Sequence, residues 1–262
     1  MKHALARAAA AALSVVITPP LLAAPQGVPG ALLRLGNWNQ DVGSYGVPQA
    51  WEKLPARQWP MDGWATLLFN DTDATLKLQP LSKAEATQAL KPIVDQLEAV
   101  AARASQEPAA PGEVPEGDAD GRSPAYVRIP GVIWQVRTVP LYRFKNGTPR
   151  LTPELGYRYE LSLNGRPFAF TLQNGFRTAD GRPYGEGTQF YLELGGQKFH
   201  YDLGGYGWDV RIKGIGDLDG DGQPDFIFDV GGSNSGYEAL ILSSQARPGT
   251  NPPTAYLSSW GC

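Results

Sequence analysis

The chain has 262 residues, a formal net charge of −3 and a charged content of 19%. This slightly acidic balance excludes the basic surface that nucleic acids or anionic membranes attract, so neither is expected as a partner. The 31 glycines and 23 prolines favour short strands joined by turns over long helices.

Residues 1–24 have the features of an export signal. Lys2 and Arg7 give a positive start, and residues 8–16 form an apolar run. This run is shorter than the roughly 20 residues that span a membrane, and Pro19 interrupts the segment. The sequence therefore predicts a periplasmic or secreted protein that has no membrane span after cleavage.

Cysteine and histidine are rare, which limits the chemistry. Cys262 is the only cysteine, so no intrachain disulfide can form. His200 is the only histidine that remains after signal cleavage, which excludes a histidine-rich zinc site. Strand alternation in "QKFHYDL" puts His200 opposite Phe199 and Tyr201, and this position favours a solvent-facing residue over a catalytic base.

Residues 25–106 are predicted to form an N-terminal α+β region. In "GWATLLFNDTDATLKLQP" two β-compatible runs, 64–69 and 74–79, flank the turn-forming residues 70–73. This arrangement predicts a hairpin.

The stretch "LSKAEATQALKPIVDQLEAVAARA" predicts a helix. Ser82 and Glu85 form a capping box at its start. Apolar residues follow at helical spacing and predict a core-facing side: Leu90, Ile93, Val94, Leu97 and Ala101. Pro92 predicts either a kink near Leu90 or a main helix that begins at Pro92 itself.

Residues 107–124 are rich in acids, proline and glycine and lack aromatic residues. Such a composition cannot bury enough apolar surface to order itself, so we expect a flexible linker. The linker predicts a boundary between the N-terminal region and a C-terminal β domain at 125–262.

The C-terminal domain is punctuated by two-residue hairpin-turn signals. They are Asn146-Gly147, Asn164-Gly165, Asn174-Gly175, Asp180-Gly181 and Gly195-Gly196. This succession predicts a β-meander that forms a sandwich or a barrel, within an overall α+β fold that is mainly antiparallel β. No strand, glycine loop and helix follow one another as a nucleotide site requires.

The stretch "GDLDGDGQPD" predicts a calcium site. Oxygen ligands recur at the first, third, fifth, seventh and ninth positions of a calcium loop, and these are Asp217, Asp219, Asp221, Gln223 and Asp225. The twelfth position is Phe228 instead of the glutamate of an EF-hand, and both flanks are β-type. We therefore expect a strand-loop-strand site. Further ligands could come from outside the loop: Asp229, Asp209 or Glu238.

The longer stretch "GDLDGDGQPDFIFDVGG" resembles the calcium loops of FG-GAP and VCBS-type repeats. Dockerins and thrombospondin type 3 repeats share the shorter consensus. The resemblance implies that the five residues above are calcium ligands in a loop between two strands. It departs from those families because they repeat the loop and this chain has it once. The C-terminal half also resembles uncharacterised exported bacterial proteins, which implies no known chemistry.

Three functions are compatible with the sequence. The first is an exported, calcium-stabilised, non-catalytic module that binds a cell-surface protein or a glycan; the absence of a histidine set and a usable cysteine favours it. The second is a carbohydrate-binding module with stacking platforms among Trp134, Tyr206, Trp208 and Trp260. The third is a hydrolase that uses carboxylates, or Ser233 or Ser235 in "GGSNSGYE". The glycine-flanked pentapeptide 232–236 resembles a nucleophile elbow, but its central residue is Asn234 and not serine.

Overall fold

The computed structural model describes residues 29–34, 47–104, 124–177, 183–204, 209–231 and 235–260. The predicted signal segment 1–24, residues 107–123 of the predicted linker, and Cys262 lie outside these ranges. Within them no helix is long and apolar enough to cross a membrane.

The described residues form one α-helix and a series of strands, which confirms the predicted α+β fold with mainly antiparallel β structure. The elements are β1 Ala31–Arg34, β2 Trp64–Asn70, β3 Thr75–Pro80, α1 Lys83–Ala104, β4 Ala125–Arg128, β5 Arg137–Pro140, β6 Arg158–Leu163, β7 Arg166–Arg177, β8 Pro183–Leu194, β9 Gln197–Gly204, β10 Asp209–Gly216, β11 Asp225–Gly231, β12 Ser235–Ile241, β13 Thr250–Asn251 and β14 Ala255–Trp260. Short 3-10 turns lie at Ala56–Gln58 and Ser243–Gln245.

The strands form three sheets, which we call sheet A, sheet B and sheet C. Sheet A has the order β1-β4-β2-β3-β5, sheet B the order β10-β11-β12-β14, and sheet C the order β13-β9-β8-β7-β6. All pairs are antiparallel except β13 with β9, which is parallel. No sheet closes into a barrel among the described residues, so the barrel-like alternative is wrong.

Sheet A joins strands from both sides of the predicted boundary at 107–124. The predicted hairpin is confirmed, because β2 pairs with β3. However, β4 lies between β1 and β2, and β5 pairs with β3, although both strands follow the predicted linker in the chain. The composition of residues 107–124 indicates a linker, but it does not indicate which strands pair on either side of that linker.

Helix α1 runs unbroken from Lys83 to Ala104 with Pro92 inside it, so the predicted start at Pro92 is wrong. The capping box is confirmed: the Ser82 N–H donates to Glu85 Oε2 at 2.7 Å, and the Glu85 N–H donates to Ser82 Oγ at 3.2 Å. The core-facing side holds Ala86, Leu90, Ile93 and Leu97, all buried, while Ala101 is exposed.

Sheet C contains the predicted meander of β6 to β9. The β6–β7 turn places Asn164 at φ +52° and Gly165 at φ +77°, the backbone of a type I′ turn. Gly195 and Gly196 join β8 to β9, also with positive φ.

The other turn signals have different outcomes. The predicted turn at Asn174-Gly175 is wrong, because these residues lie inside β7 at a bulge between Asn174 and Phe176. The extra residues of the irregularity are on β8, since Asn174 pairs with Thr188 and Phe176 with Tyr184, so β7 continues without reversing. Asn146-Gly147 forms a turn without strands on either side, and Asp180-Gly181 lies outside the described residues.

Sheet B contributes to two hydrophobic cores because successive side chains of its strands point to opposite faces. Ile227 and Leu240 join the core of sheet A and helix α1. Phe226, Phe228 and Ile241 join the core of sheet C. The loop that leads into β11 therefore lies at one end of a sheet that is buried on both faces.

Candidate functional site

The aspartate-rich stretch occupies the connection between β10, which ends at Gly216, and β11, which begins at Asp225. A strand enters the loop and a strand leaves it, as predicted for a site that is not an EF-hand. The paired ends of β10 and β11, Gly216 and Asp225, face each other in register and hold the loop closed.

Two glycines and two carboxylates shape the loop. Gly220 and Gly222 have φ values of +90° and +80°, which other residues rarely adopt. The Gly220 N–H donates to Asp217 Oδ1 at 2.8 Å, and the Gln223 N–H donates to Asp221 Oδ1 at 2.8 Å. Carboxylates that bond to nearby backbone amides in this way are typical of turns with or without a metal.

Asp225 is completely buried and anchors the loop to the segment after β12. Its Oδ2 accepts from the Leu218 N–H at 2.7 Å, and its Oδ1 accepts from the Ser243 N–H at 2.9 Å. Burial, reinforced by the nearby charge of Asp219, raises the pKa of Asp225 well above its usual range, and the hydrogen bonds oppose this only in part.

Three of the five predicted ligands come together. One carboxylate oxygen from each of Asp217, Asp219 and Asp225 lies within 4.8 Å of the others. The Asp221 carboxylate is outside this group. Its Oδ2 accepts a hydrogen bond from Gln223 Nε2 at 2.9 Å. Burial raises the pKa of Asp221, and the charges of Asp219 and Asp217 add to the increase.

Side chains from distant parts of the chain surround the loop, and the sequence pattern does not predict these contacts. Arg137 Nη2 lies 3.3 Å from Asp217 Oδ2, and Ser244 Oγ donates to Asp219. Arg166 Nη1 donates to the backbone carbonyl oxygen of Asp221 at 3.4 Å. They come from β5, from the segment after β12 and from β7, so no local pattern signals them.

Asp229 and Glu238, two of the additional ligands predicted from outside the loop, do not belong to the carboxylate group. Glu238 Oε2 lies 2.9 Å from Arg34 Nη2, and its Oε1 lies 2.6 Å from Lys213 Nζ. Asp229 faces Glu238 across the strand pair. Asp209 begins β10, at the opposite end of that strand from the loop.

His200 takes part in a chain of polar contacts on the outer face of sheet C. Its Nδ1 lies 2.9 Å from Thr250 Oγ1, and its Nε2 contacts Gln189 Oε1. Gln189 Nε2 in turn donates to Asp202 Oδ1 at 3.1 Å. Burial lowers the pKa of His200, which favours the neutral ring. These contacts join β13, β9 and β8, which is a structural task that needs no substrate.

The structure describes the side chain of one predicted stacking platform and of neither predicted hydrolase serine. Trp134 is only 7% exposed and lies in the sheet A core, so its prediction as a stacking platform is wrong. Tyr206, Trp208 and Ser233, and the side chains of Ser235 and Trp260, lie outside the described part of the chain.

A groove of about 740 Å³ lies at the end of sheet C beside the aspartate loop. Gln223 and Pro224 of the loop line one side of it. Its other walls come from β6, β7 and the β8–β9 turn, with five charged residues: Arg158, Glu160, Arg166, Glu193 and Lys198. This volume lies in the range of sites that bind small ligands or short segments.

Comparison with known proteins gives this chain no relative. No family model matches it, no curated protein matches it, and no solved structure matches it.

Proposed function

We propose that the protein is an exported, non-catalytic binding or structural module that Ca²⁺ stabilises at the β10–β11 loop. The observation that carries the proposal is the grouping of Asp217, Asp219 and Asp225, whose carboxylate oxygens lie within 4.8 Å of one another. The loop pattern of oxygen ligands supports the same ion, since Ca²⁺ prefers carboxylate and carbonyl oxygens.

The charge balance of the loop also favours a bound cation. Asp225 is fully buried, and Asp219 lies close enough to raise its pKa. Arg137 pairs with Asp217, one of the three grouped aspartates. A divalent cation would offset the remaining repulsion, because an opposite charge nearby favours the ionised carboxylate.

Asp217, Asp219 and Asp225 would hold the ion. Asp221, through its carboxylate, and Gln223, through its backbone carbonyl, remain proposed ligands. The Asp221 carboxylate would give up its hydrogen bond with Gln223 Nε2 when it joins the ion. Because the loop lacks the bidentate glutamate of an EF-hand, we expect a dissociation constant on the order of 10⁻⁴ to 10⁻³ M. The ion would hold β10 and β11 together at the loop and, by binding only the folded state, would stabilise the fold by mass action.

The test is calcium binding by calorimetry, combined with thermal unfolding in Ca²⁺ and in chelator. At a calcium concentration of about one hundred times the dissociation constant, the free energy of unfolding should rise by about 2.7 kcal/mol. Asp219→Asn should abolish the heat of binding and the rise in melting temperature. Asp71→Asn, at an exposed turn outside the loop, should preserve both.

An unchanged melting temperature together with no measurable heat of binding would contradict the proposal. If the heat of calcium binding and the rise in melting temperature persist in both Asp217→Asn and Asp219→Asn, the ion binds elsewhere in the molecule.

The catalytic alternative receives no support from the acids of the groove. Arg158 is hydrogen-bonded to Glu160 and to Glu193, at 2.7 Å from Glu193 Oε2. The hydrogen bond from Arg158 lowers the pKa of Glu193, whereas a general acid of a glycosidase needs a raised pKa. Of the four predicted stacking platforms, Trp134 is the one whose side chain the structure describes, and it is buried.

A further inference from the structure

The groove beside the aspartate loop has an excess of positive charge. Its two carboxylates, Glu160 and Glu193, are both hydrogen-bonded to Arg158. Arg166 and Lys198 complete a set of three cations against two acids. The excess stands out because the whole chain has a formal net charge of −3.

Arg166 and Lys198 are the cations that a ligand can reach. Both are exposed. Lys198 Nζ lies 4.6 Å from the centre of the Tyr191 ring, and Arg166 Nη1 donates to the backbone carbonyl oxygen of Asp221 at 3.4 Å. Within the described part of the chain neither contact is an ion pair. Both cations therefore keep N–H donors that can bind a ligand carboxylate, with Lys198 also near enough to Glu193 for its charge to lower the pKa of that carboxyl.

Apolar surface lies between the charged residues. Leu161 is half-buried and Pro167 is exposed in the groove wall. Phe168 is the one aromatic residue of the wall, and only 4% of it is exposed. The groove thus offers apolar contact and carboxylate binding but no ring face on which a sugar could stack.

We infer that this groove binds a short acidic peptide segment of a partner protein. Carboxylates of the segment pair with Arg166 and Lys198, and its apolar side chains pack against Leu161 and Pro167. The inference names a partner class for the binding role proposed above and rests on that role. Charge complementarity favours an acidic partner, and the absence of a stacking face favours a peptide over a glycan.

The test uses two arrays of ten-residue peptides in which apolar residues alternate with acids in one array and with lysines in the other. The full-length protein should bind members of the acidic array more tightly, and added salt should weaken this binding. Fluorescence anisotropy then measures the best peptide against Arg166→Glu and Lys198→Glu. Each charge reversal should weaken binding by about tenfold or more, the scale of one charge-assisted contact. Lys77→Glu, an exposed lysine on sheet A, should have no effect.

Equal binding to both arrays, binding to neither, or binding that both groove variants retain would overturn the inference. Binding of an acidic glycan array that depends on Arg166 and Lys198, without acidic peptide binding, would overturn the choice of a peptide. Calcium calorimetry and thermal unfolding of the same protein in Ca²⁺ and in chelator separate the two proposals. Peptide binding by a protein that shows neither heat of calcium binding nor a rise in melting temperature would leave the groove supported and the metal site refuted. Calcium binding by a protein that binds no peptide would do the reverse.

Discussion

At the scale of single residues, Glu238 is held by two cations between sheets A and B. Its side chain is 17% exposed, and those of Arg34 and Lys213 are 10% and 14% exposed. Removal of one partner from a largely buried ion pair leaves the other charges uncompensated. Glu238→Ala should therefore lower the free energy of unfolding by about 3 kcal/mol in urea titrations.

The control for this variant is Asp71→Ala, which breaks the exposed pair with Arg150. Exposed pairs contribute little, so its cost should stay below about 1 kcal/mol. A similar cost for both variants would mean that burial does not determine the contribution of Glu238.

The same carboxylate makes stability depend on pH. Burial raises the pKa of Glu238, but Lys213 and Arg34 outweigh burial through charge and hydrogen bonds and lower it below its usual value of 4.5. Asp229, across the strand pair, is the acid that faces it from β11. Because the folded pKa is the lower one, the contribution is complete above about pH 4.5 and is lost as pH falls through the folded pKa. The stability difference between the wild type and Glu238→Gln should shrink over that interval.

At the scale of elements, helix α1 depends on its capping box. Ser82 Oγ accepts the Glu85 N–H, one of the first amides of the helix, which have no partner within the helix. Ser82→Ala should cost about 1 kcal/mol in the free energy of unfolding. Thr87→Ala is the matched control. The Thr87 hydroxyl donates to the Lys83 carbonyl inside the helix, so this substitution removes a hydroxyl without removing the cap. Equal costs would show that the cap has no special role.

Local elements could be predicted from the sequence because their causes are local. Asn164-Gly165 gives a hairpin since both residues tolerate positive φ, and the capping box is encoded by two residues three positions apart. Asn174-Gly175 has the same local chemistry, yet β7 continues through it, because β8 remains paired on both sides of the bulge. Tertiary pairing overrides the turn preference there.

The candidate site shows the same limit. The spacing of the aspartates predicts oxygen ligands, and three of the five come together. The partners of the loop, Arg137, Arg166, Ser243 and Ser244, are brought to it by the packing of the sheets and by the turn after β12. No spacing rule encodes these contacts. The groove likewise combines residues of four chain segments, which a single sequence does not reveal.

At the scale of the whole molecule, sheet B joins the two cores. Phe228 is fully buried in the sheet C core, with its ring centre 5.0 Å from that of Phe190. Phe228→Ala should cost about 3–5 kcal/mol, and Leu78→Ala, in the sheet A core, about 2–5 kcal/mol. Because the cores share a sheet, each variant should speed native-state amide exchange in both β2 and β8. Faster exchange confined to the core that carries the substitution would show that the cores unfold independently.

The position of β4 between β1 and β2 has a consequence for the acidic segment at 105–123. A tether between separate domains sets the distance between them, and its length controls their effective concentration. Here the segment instead connects helix α1 to β4, and the helix shares one hydrophobic core with sheet A. The segment therefore closes a loop within one folding unit. The free-energy cost of closing a loop grows only with the logarithm of its length. Insertions or deletions in this segment would therefore change the stability of sheet A slightly and would leave the relative positions of the three sheets unchanged.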